Sequence, residues 1–356
     1  MSHEELLNNL ERRIPFNVMR SILKNKDMPT HHGWRNTKNI YKEECESNPL
    51  FLSKVLALQN EYKQHLLTGE KVISIYKIEN EIIDDFTTFF DDFIVDDYID
   101  PKSLYVKNYP FPVNDLSNID DTIKLVDYDK NTSEIVLSFC STRKVEEHVK
   151  LEISSFNTEV QKDYFIGFKE LFGTKSYRKQ LFDFVVINLK KQYVEYRVDA
   201  SNDLSVNDQL KSLQRIKSHF LSILHGSNID ENKIQAHNLF PKINALYNSN
   251  EGRVCELAFT VDTGATFHER MRNKDIDIRN EDFHSAGMEA VDKINTYKIA
   301  IEWKKEVGPE SFEHKLELLL NSNMREIAST RPKLFSAHIL KCFNATQYNE
   351  LLSKIL

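Results

Sequence analysis

The sequence predicts an α+β fold, a helical N-terminal domain followed by a mainly antiparallel β-rich domain with packed helices. Three observations lead there. Apolar residues recur at helical spacing over the first 70 residues, they alternate with polar ones from Ile123 onward, and a break bearing Pro101, Pro110 and Pro112 lies between. The expected domains are 1–100 and 118–356, with a candidate division of the second near 226–250.

Each element has a local reason. Leu6, Leu7, Leu10 and Ile14 form one helical stripe. Val18, Met19, Ile22 and Leu23 form another after Pro15, whose fixed φ suits a first helical turn. Arg12, Arg13, Arg20, Lys24 and Lys26 fall on the polar sides. Segment 26–35 holds Pro29 and Gly33 and reads as a loop with an exposed Trp34. A helix fits 49–67, and a strand rich in β-branched residues fits 71–78. Asn80 can cap a helix whose Ile82, Phe86, Phe89, Phe90 and Phe93 face a core.

In the middle of the chain, strands at 123–127 and 134–141 flank a turn at 128–132. Strands also fit 149–154, 181–189 and 193–198, the last two turning at Lys190 and Lys191. A helix over 207–224 aligns Leu210, Leu213, Ile216, Phe220 and Leu224. A hairpin of 254–260 with 266–271 follows, then a helix at 281–294, a strand at 297–303 and a helix at 309–321. A strand near 334–343 precedes a terminal helix from Ala345, capped by Asn344 with Gln347 three residues on.

Composition narrows the function. A hydrophobic fraction of 40%, with 22 Phe and 14 Tyr, indicates a folded chain. No apolar run approaches the roughly 18 residues of a membrane span, and the acidic start lacks the basic-then-apolar order of a signal peptide. A cytoplasmic location without membrane attachment is expected. Cys45, Cys140, Cys255 and Cys342 have no paired spacing and read as reduced core residues. The net charge of −7 argues against a wholly basic nucleic-acid binder, yet its distribution is uneven. From Glu79 to Asp100 there are nine carboxylates and no Lys or Arg, whereas from Lys169 to Arg197 seven basic residues face three acidic ones. That second stretch could attract phosphate, or be an ordinary solvated face.

Catalytic patterns are sparse. Glu302 and Lys304, one residue apart near the end of an apolar strand, match the Glu-x-Lys of PD-(D/E)XK nucleases. There a carboxylate helps hold Mg²⁺ and the lysine activates water. Asp262 or Glu256 could supply the upstream carboxylate. An exposed strand edge guarded by charge explains the same residues. His31, His32, His268 and His284 form no ligand pattern, so no metal is expected, and no glycine-rich phosphate loop or serine elbow marks a cofactor or acyl site. Tyr164, Phe165, Phe168 and Phe172 are expected to pack in a core, with stacking on bases beside Lys169 and Lys175 as the alternative.

The order of elements and several strings resemble the centromere protein N family. These are Ile14-Pro15-Phe16-Asn17-Val18-Met19-Arg20-Ser21-Ile22-Leu23-Lys24, the helix and strand of 52–78, the strands and long helix of 175–224, and the terminal 331–356. In the last, Ala337-His338-Ile339-Leu340-Lys341-Cys342-Phe343 precedes Tyr348-Asn349-Glu350-Leu351-Leu352. The resemblance implies a pyrin-like helical domain joined to a curved β-rich domain, with a basic DNA groove between them and a C-terminal part that joins a partner protein. By position it puts Arg12, Arg13, Arg20 and Lys24 on the helical side, and Lys175, Arg178, Lys179, Lys190 and Lys191 on the sheet side. The acidic 79–100 stretch and the segment 254–303 depart from the pattern and separate the fold from any kinetochore role. Abundant Lys, Asn and Ile suggest an AT-rich genome, in keeping with a mobile element or antiviral defence.

The leading expectation is therefore a non-enzymatic protein that binds the DNA or RNA backbone, or an adaptor, without a cofactor. One alternative is a Mg²⁺-dependent nuclease. The other is a subunit that joins a protein partner or a second copy through the C-terminal region, by an open strand edge at 334–343 and the acidic helix of 80–95.

Overall fold

Ser2 and Glu5 each accept the other's backbone N–H, and this reciprocal cap starts α1 (His3–Arg13). Pro15 ends the extended link to α2 (Phe16–Asn25). Asn48 accepts the N–H groups of Leu50 and Phe51, which separates α3 (Gly33–Ser47) from α4 (Pro49–Thr68). A computed structural model describes residues 1–152, 163–200 and 204–356. Trp34 differs from expectation. It lies in the first turn of α3, half-buried against Phe16, and its Nε1 donates to the Ile14 carbonyl at 3.0 Å.

The chain then crosses into the sheet through β1 (Lys71–Ile78). A 3₁₀ turn at Asn80–Ile82 leads into α5 (Ile83–Asp91), with no cap bond from the Asn80 side chain, and α6 (Leu104–Asn108) interrupts the proline-bearing break. Next come β2 (Lys124–Lys130), β3 (Glu134–Leu151), β4 (Leu171–Asn188), β5 (Tyr193–Asp199) and α7 (Val206–Leu224). The last third holds β6 (Ile234–Ala236), α8 (Phe240–Tyr247), β7 (Arg253–Val261), β8 (Thr266–Arg270), α9 (Asp282–Glu289), β9 (Ile294–Val307), β10 (Phe312–Asn321), β11 (Ala337–Leu340) and α10 (Ala345–Ile355). The class is α+β.

Among the described residues these strands form one antiparallel sheet, in the order β2-β3-β4-β5-β1-β11-β10-β9-β7-β8, with β6 also paired to β1. Strand β1, inside the segment 1–100, thus sits at the centre of the sheet between β5 and β11. The strand period of two divides β4 between two cores. Phe182, Phe184 and Val186 pack under α1–α4. Val185 and Ile187 join Phe86, Phe90, Ile216 and Phe220 of α5 and α7 on the other face. A third core joins β7, β9 and β10 to α8 and α10.

Several expected elements change. Segment 309–321 is strand β10 rather than helix, paired with β9 from Phe312↔Val307 to Asn321↔Lys298. Its buried His314, Leu316, Leu318 and Leu320 lie two residues apart, a strand's period and not a helix's. The helix of 281–294 stops at Glu289, and Ile294 opens β9. Residues 149–151 are the far end of β3, while 153 and 154 lie outside the described residues. Leu210 is exposed rather than on the buried stripe of α7. The open C-terminal edge is also corrected, because β11 pairs with β1 on one side and β10 on the other.

Candidate nucleic-acid interface

Where α1 meets the end of β5, four charged or titratable groups are buried together. Arg13 donates through Nη1 to Asp199 Oδ2 at 2.8 Å and through Nη2 to Oδ1 at 2.5 Å. Lys71 Nζ, fully buried, donates to the same Oδ1 at 2.6 Å, and the Phe182 N–H donates to Oδ2 at 3.0 Å. Burial alone would raise the Asp199 pKa. The cations Arg13 and Lys71 outweigh it and hold the carboxylate well below its usual range. For Lys71 burial wins, and its pKa falls to about 8 despite Asp199. Burial, then repulsion from Arg13 and Lys71, takes His65 down to about 3, so its ring is neutral. Arg13 is therefore a structural rivet between helix and sheet.

The rivet floors an open cavity of about 360 Å³, lined by Arg12 from α1 and Lys179 from β4, with Glu70 and His65 beside them. Arg13 is spent on Asp199, Glu11 is held by Lys38, and burial raises the Glu70 pKa while its Oε1 accepts the Lys341 backbone N–H. Arg12 and Lys179 bring two cations to this wall from distant parts of the sequence. Arg12, exposed, also lines a second cavity of about 480 Å³ with Lys107, Asn8, Asn9 and Asn114. Lys107 is a basic residue that sequence reasoning missed, because only the fold of 104–114 brings it to α1.

From this cavity β4 runs outward with β3 as a two-stranded arm, since β2 and β5 pair only with its inner part. Lys175, Tyr177 and Lys179 alternate onto one face of β4, the two lysines about 13 Å apart along the strand. Tyr164, Phe168 and Phe172 near its tip are 79%, 57% and 67% exposed, so the expected core packing does not hold for them. Aromatic faces beside Lys169 and Lys175 suit base stacking.

The other basic candidates do not join this track. Arg20 lies over the Phe312 ring at 4.6 Å and Lys24 pairs with Glu310, so both dock α2 on the β9–β10 turn. That approach is close: Gly308 has φ +71°, and a Cβ there would collide with the Lys24 carbonyl oxygen. Arg178 faces the opposite side of β4 from Lys179 and holds Asp121 at 2.5 Å and the Leu116 carbonyl at 3.0 Å. Lys190 and Lys191 are exposed at the β4–β5 turn, fifteen residues or roughly 50 Å along β4 from Lys175. One groove holding all nine residues does not exist.

The nuclease residues are spent in ion pairs. Glu302 takes Arg253 on Oε2 and Lys341 on Oε1, and these cations overcome burial to lower its pKa. Lys304 reaches Asp275 and Glu313. Glu256 is held by Lys298 and His268. The register puts Val261 opposite Ile294 and Arg253 opposite Glu302, so Asp262 lies at least ~26 Å along the strands from Glu302. Among the described residues no group of three or more His, Cys, Asp and Glu could hold a metal ion. None of the described helices is long and apolar enough to cross a membrane. No protein-family model matches the chain, and no curated protein matches it.

Proposed function

We propose that the chain binds the sugar-phosphate backbone of nucleic acid, without chemistry of its own, along a track from Arg12 past Lys179 and Lys175 to the aromatic tip of the β3–β4 arm. The observation that carries this reading is that Arg12 and Lys179, from distant parts of the sequence, line one open cavity. Lys175 continues it on the same strand face. Backbone contacts release counterions, so affinity falls steeply with salt and depends little on base sequence. The four free cysteines suit action in a reducing cytoplasm, the resemblance adds an adaptor role to the same reading, and the Lys-, Asn- and Ile-rich composition suits a defence or mobile-element setting.

Fluorescence anisotropy on mixed-sequence DNA and RNA oligonucleotides tests it. Wild type should bind at about 50 mM salt and lose most of its affinity by about 200 mM. Arg12→Glu and Lys175→Glu should each weaken binding several-fold and flatten the salt slope by about one charge. Lys190→Glu with Lys191→Glu should leave affinity near wild type, because these residues lie off the track. Absence of any binding at low salt, or equal loss from both sets of variants, would overturn the proposal.

A further inference from the structure

A third cavity, at the other end of the sheet from the arm, has a different chemistry. It holds about 270 Å³ under α9, between β7, β8 and the start of β9. Phe259, Phe267 and Phe283 form aromatic walls, and Met288, Val291 and Ile294 complete an almost wholly apolar lining. Phe259 and Phe267 lie parallel with centroids 5.3 Å apart, while Phe283 is 72% exposed at the rim.

One carboxylate breaks the apolar lining. Glu269 Oε2 lies 2.6 Å from His284 Nδ1, and Tyr247 Oη lies 2.9 Å from His284 Nε2. A carboxylate only accepts, so Nδ1 carries a proton, and Tyr247 can donate to Nε2. His284 thus engages Glu269 through Oε2 alone, with Tyr247 on its other ring nitrogen. Among the described residues no Lys or Arg pairs with Glu269, and its Oε1 has no hydrogen-bond partner. The segment 281–293 beside the cavity adds Glu281, Asp282, Glu289 and Asp292 against Lys293 alone. Aromatic faces attract cations through their quadrupoles, most strongly where water is excluded. A carboxylate within an acidic surround supplies the Coulombic remainder.

We propose that this cavity binds a compact organic cation, an alkylated or quaternary ammonium carried by a free small molecule. The head group would rest against Phe259, Phe267 and Phe283, with its charge answered by Glu269. The volume decides between sizes. It falls just below the roughly 300–1,000 Å³ of sites for drug-sized ligands, so a small head group fits and a large ring system does not. This site is independent of the basic track, and neither reading rests on the other.

The test compares choline with its neutral carbon isostere, 3,3-dimethylbutan-1-ol, titrated into the full chain by calorimetry or ligand-observed NMR. The cation should bind about tenfold more tightly than the alcohol. Glu269→Gln should abolish most of that preference. Phe283→Ala should weaken choline binding several-fold with an unchanged unfolding midpoint, since the ring is mostly exposed. Equal affinity for the two ligands would show a merely apolar cavity and overturn the proposal. So would the absence of saturable choline binding, an outcome read on wild type alone.

Discussion

Asp199 and His65 show how one burial penalty resolves in opposite directions. Asp199 meets two cations, stays ionised and ties α1 to β5, whereas His65 meets the same two cations and stays neutral. The pH consequence follows from the sign of each shift. His65 falls to about 3 and His338 to about 4, both chiefly through burial, from an ordinary value of 6.5. Below pH 6.5 the unfolded chain takes up protons that the folded chain refuses. Their stabilisation is therefore complete above pH 6.5 and declines as pH falls toward the folded values. At pH 5 the loss is about 2 kcal/mol for each histidine. Asp199 acts in a lower window, being stabilising above its unfolded value near 3.8 and losing that effect only in stronger acid. Urea unfolding of wild type and His65→Gln at pH 7 and pH 5 should show the pH-dependent loss shrink by about 2 kcal/mol in the variant. An unchanged loss would remove His65 from this role.

At the scale of elements, legibility in the sequence followed local chemistry. The Asn344 cap, the Pro15 junction and strand β1 were all readable because their signals lie within a few residues. Strand β10 was not, since its leucine-rich run satisfies helical spacing as easily as alternation, and only pairing with β9 decides. Helix α3 buries Thr37, Tyr41 and Cys45, a weakly apolar stripe that shows little periodicity in sequence. Half of the candidate site was legible as charge, but Arg13 reads as a free cation until the fold brings Asp199 to it across 186 positions. The β3–β4 arm carries an element-scale prediction. Among the described residues, pairs from Val145↔Tyr177 to Leu151↔Leu171 have no third strand beside them, whereas Val185–Ile187 of β4 are bonded on both sides. Isolated two-stranded ribbons are marginal in water. Hydrogen exchange should reach the outer arm far sooner than Leu181–Ile187, and equal protection would mean that the arm is covered in solution.

Across the whole molecule, the last strand to be made closes the middle of the sheet. Strand β11 bonds Lys71–Ile73 of β1 on one side and Glu317–Leu319 of β10 on the other, so it joins a half built from β2–β5 and β1 to one built from β7–β10. Helix α10 then buries Tyr348, Leu351, Leu352 and Ile355 in the core of the second half. The Tyr348 ring also lies under the Arg197 guanidinium at 4.2 Å, and its hydroxyl donates to Glu195, which fastens the C-terminus to β5. Burial of those four side chains stabilises by roughly 6–12 kcal/mol, as much as the ~5–15 kcal/mol by which a typical domain is stable at all. A chain ending at Thr330 would also leave two facing strand edges unpaired, a template for aggregation. Such a truncation should therefore be insoluble or bind a hydrophobic dye strongly, and a separate 331–356 peptide should restore solubility by filling the gap between β1 and β10. If the truncated chain instead stayed monomeric with native-like near-ultraviolet circular dichroism, each half would hold its own core, and β11 would be a seam between two units and not the keystone of one.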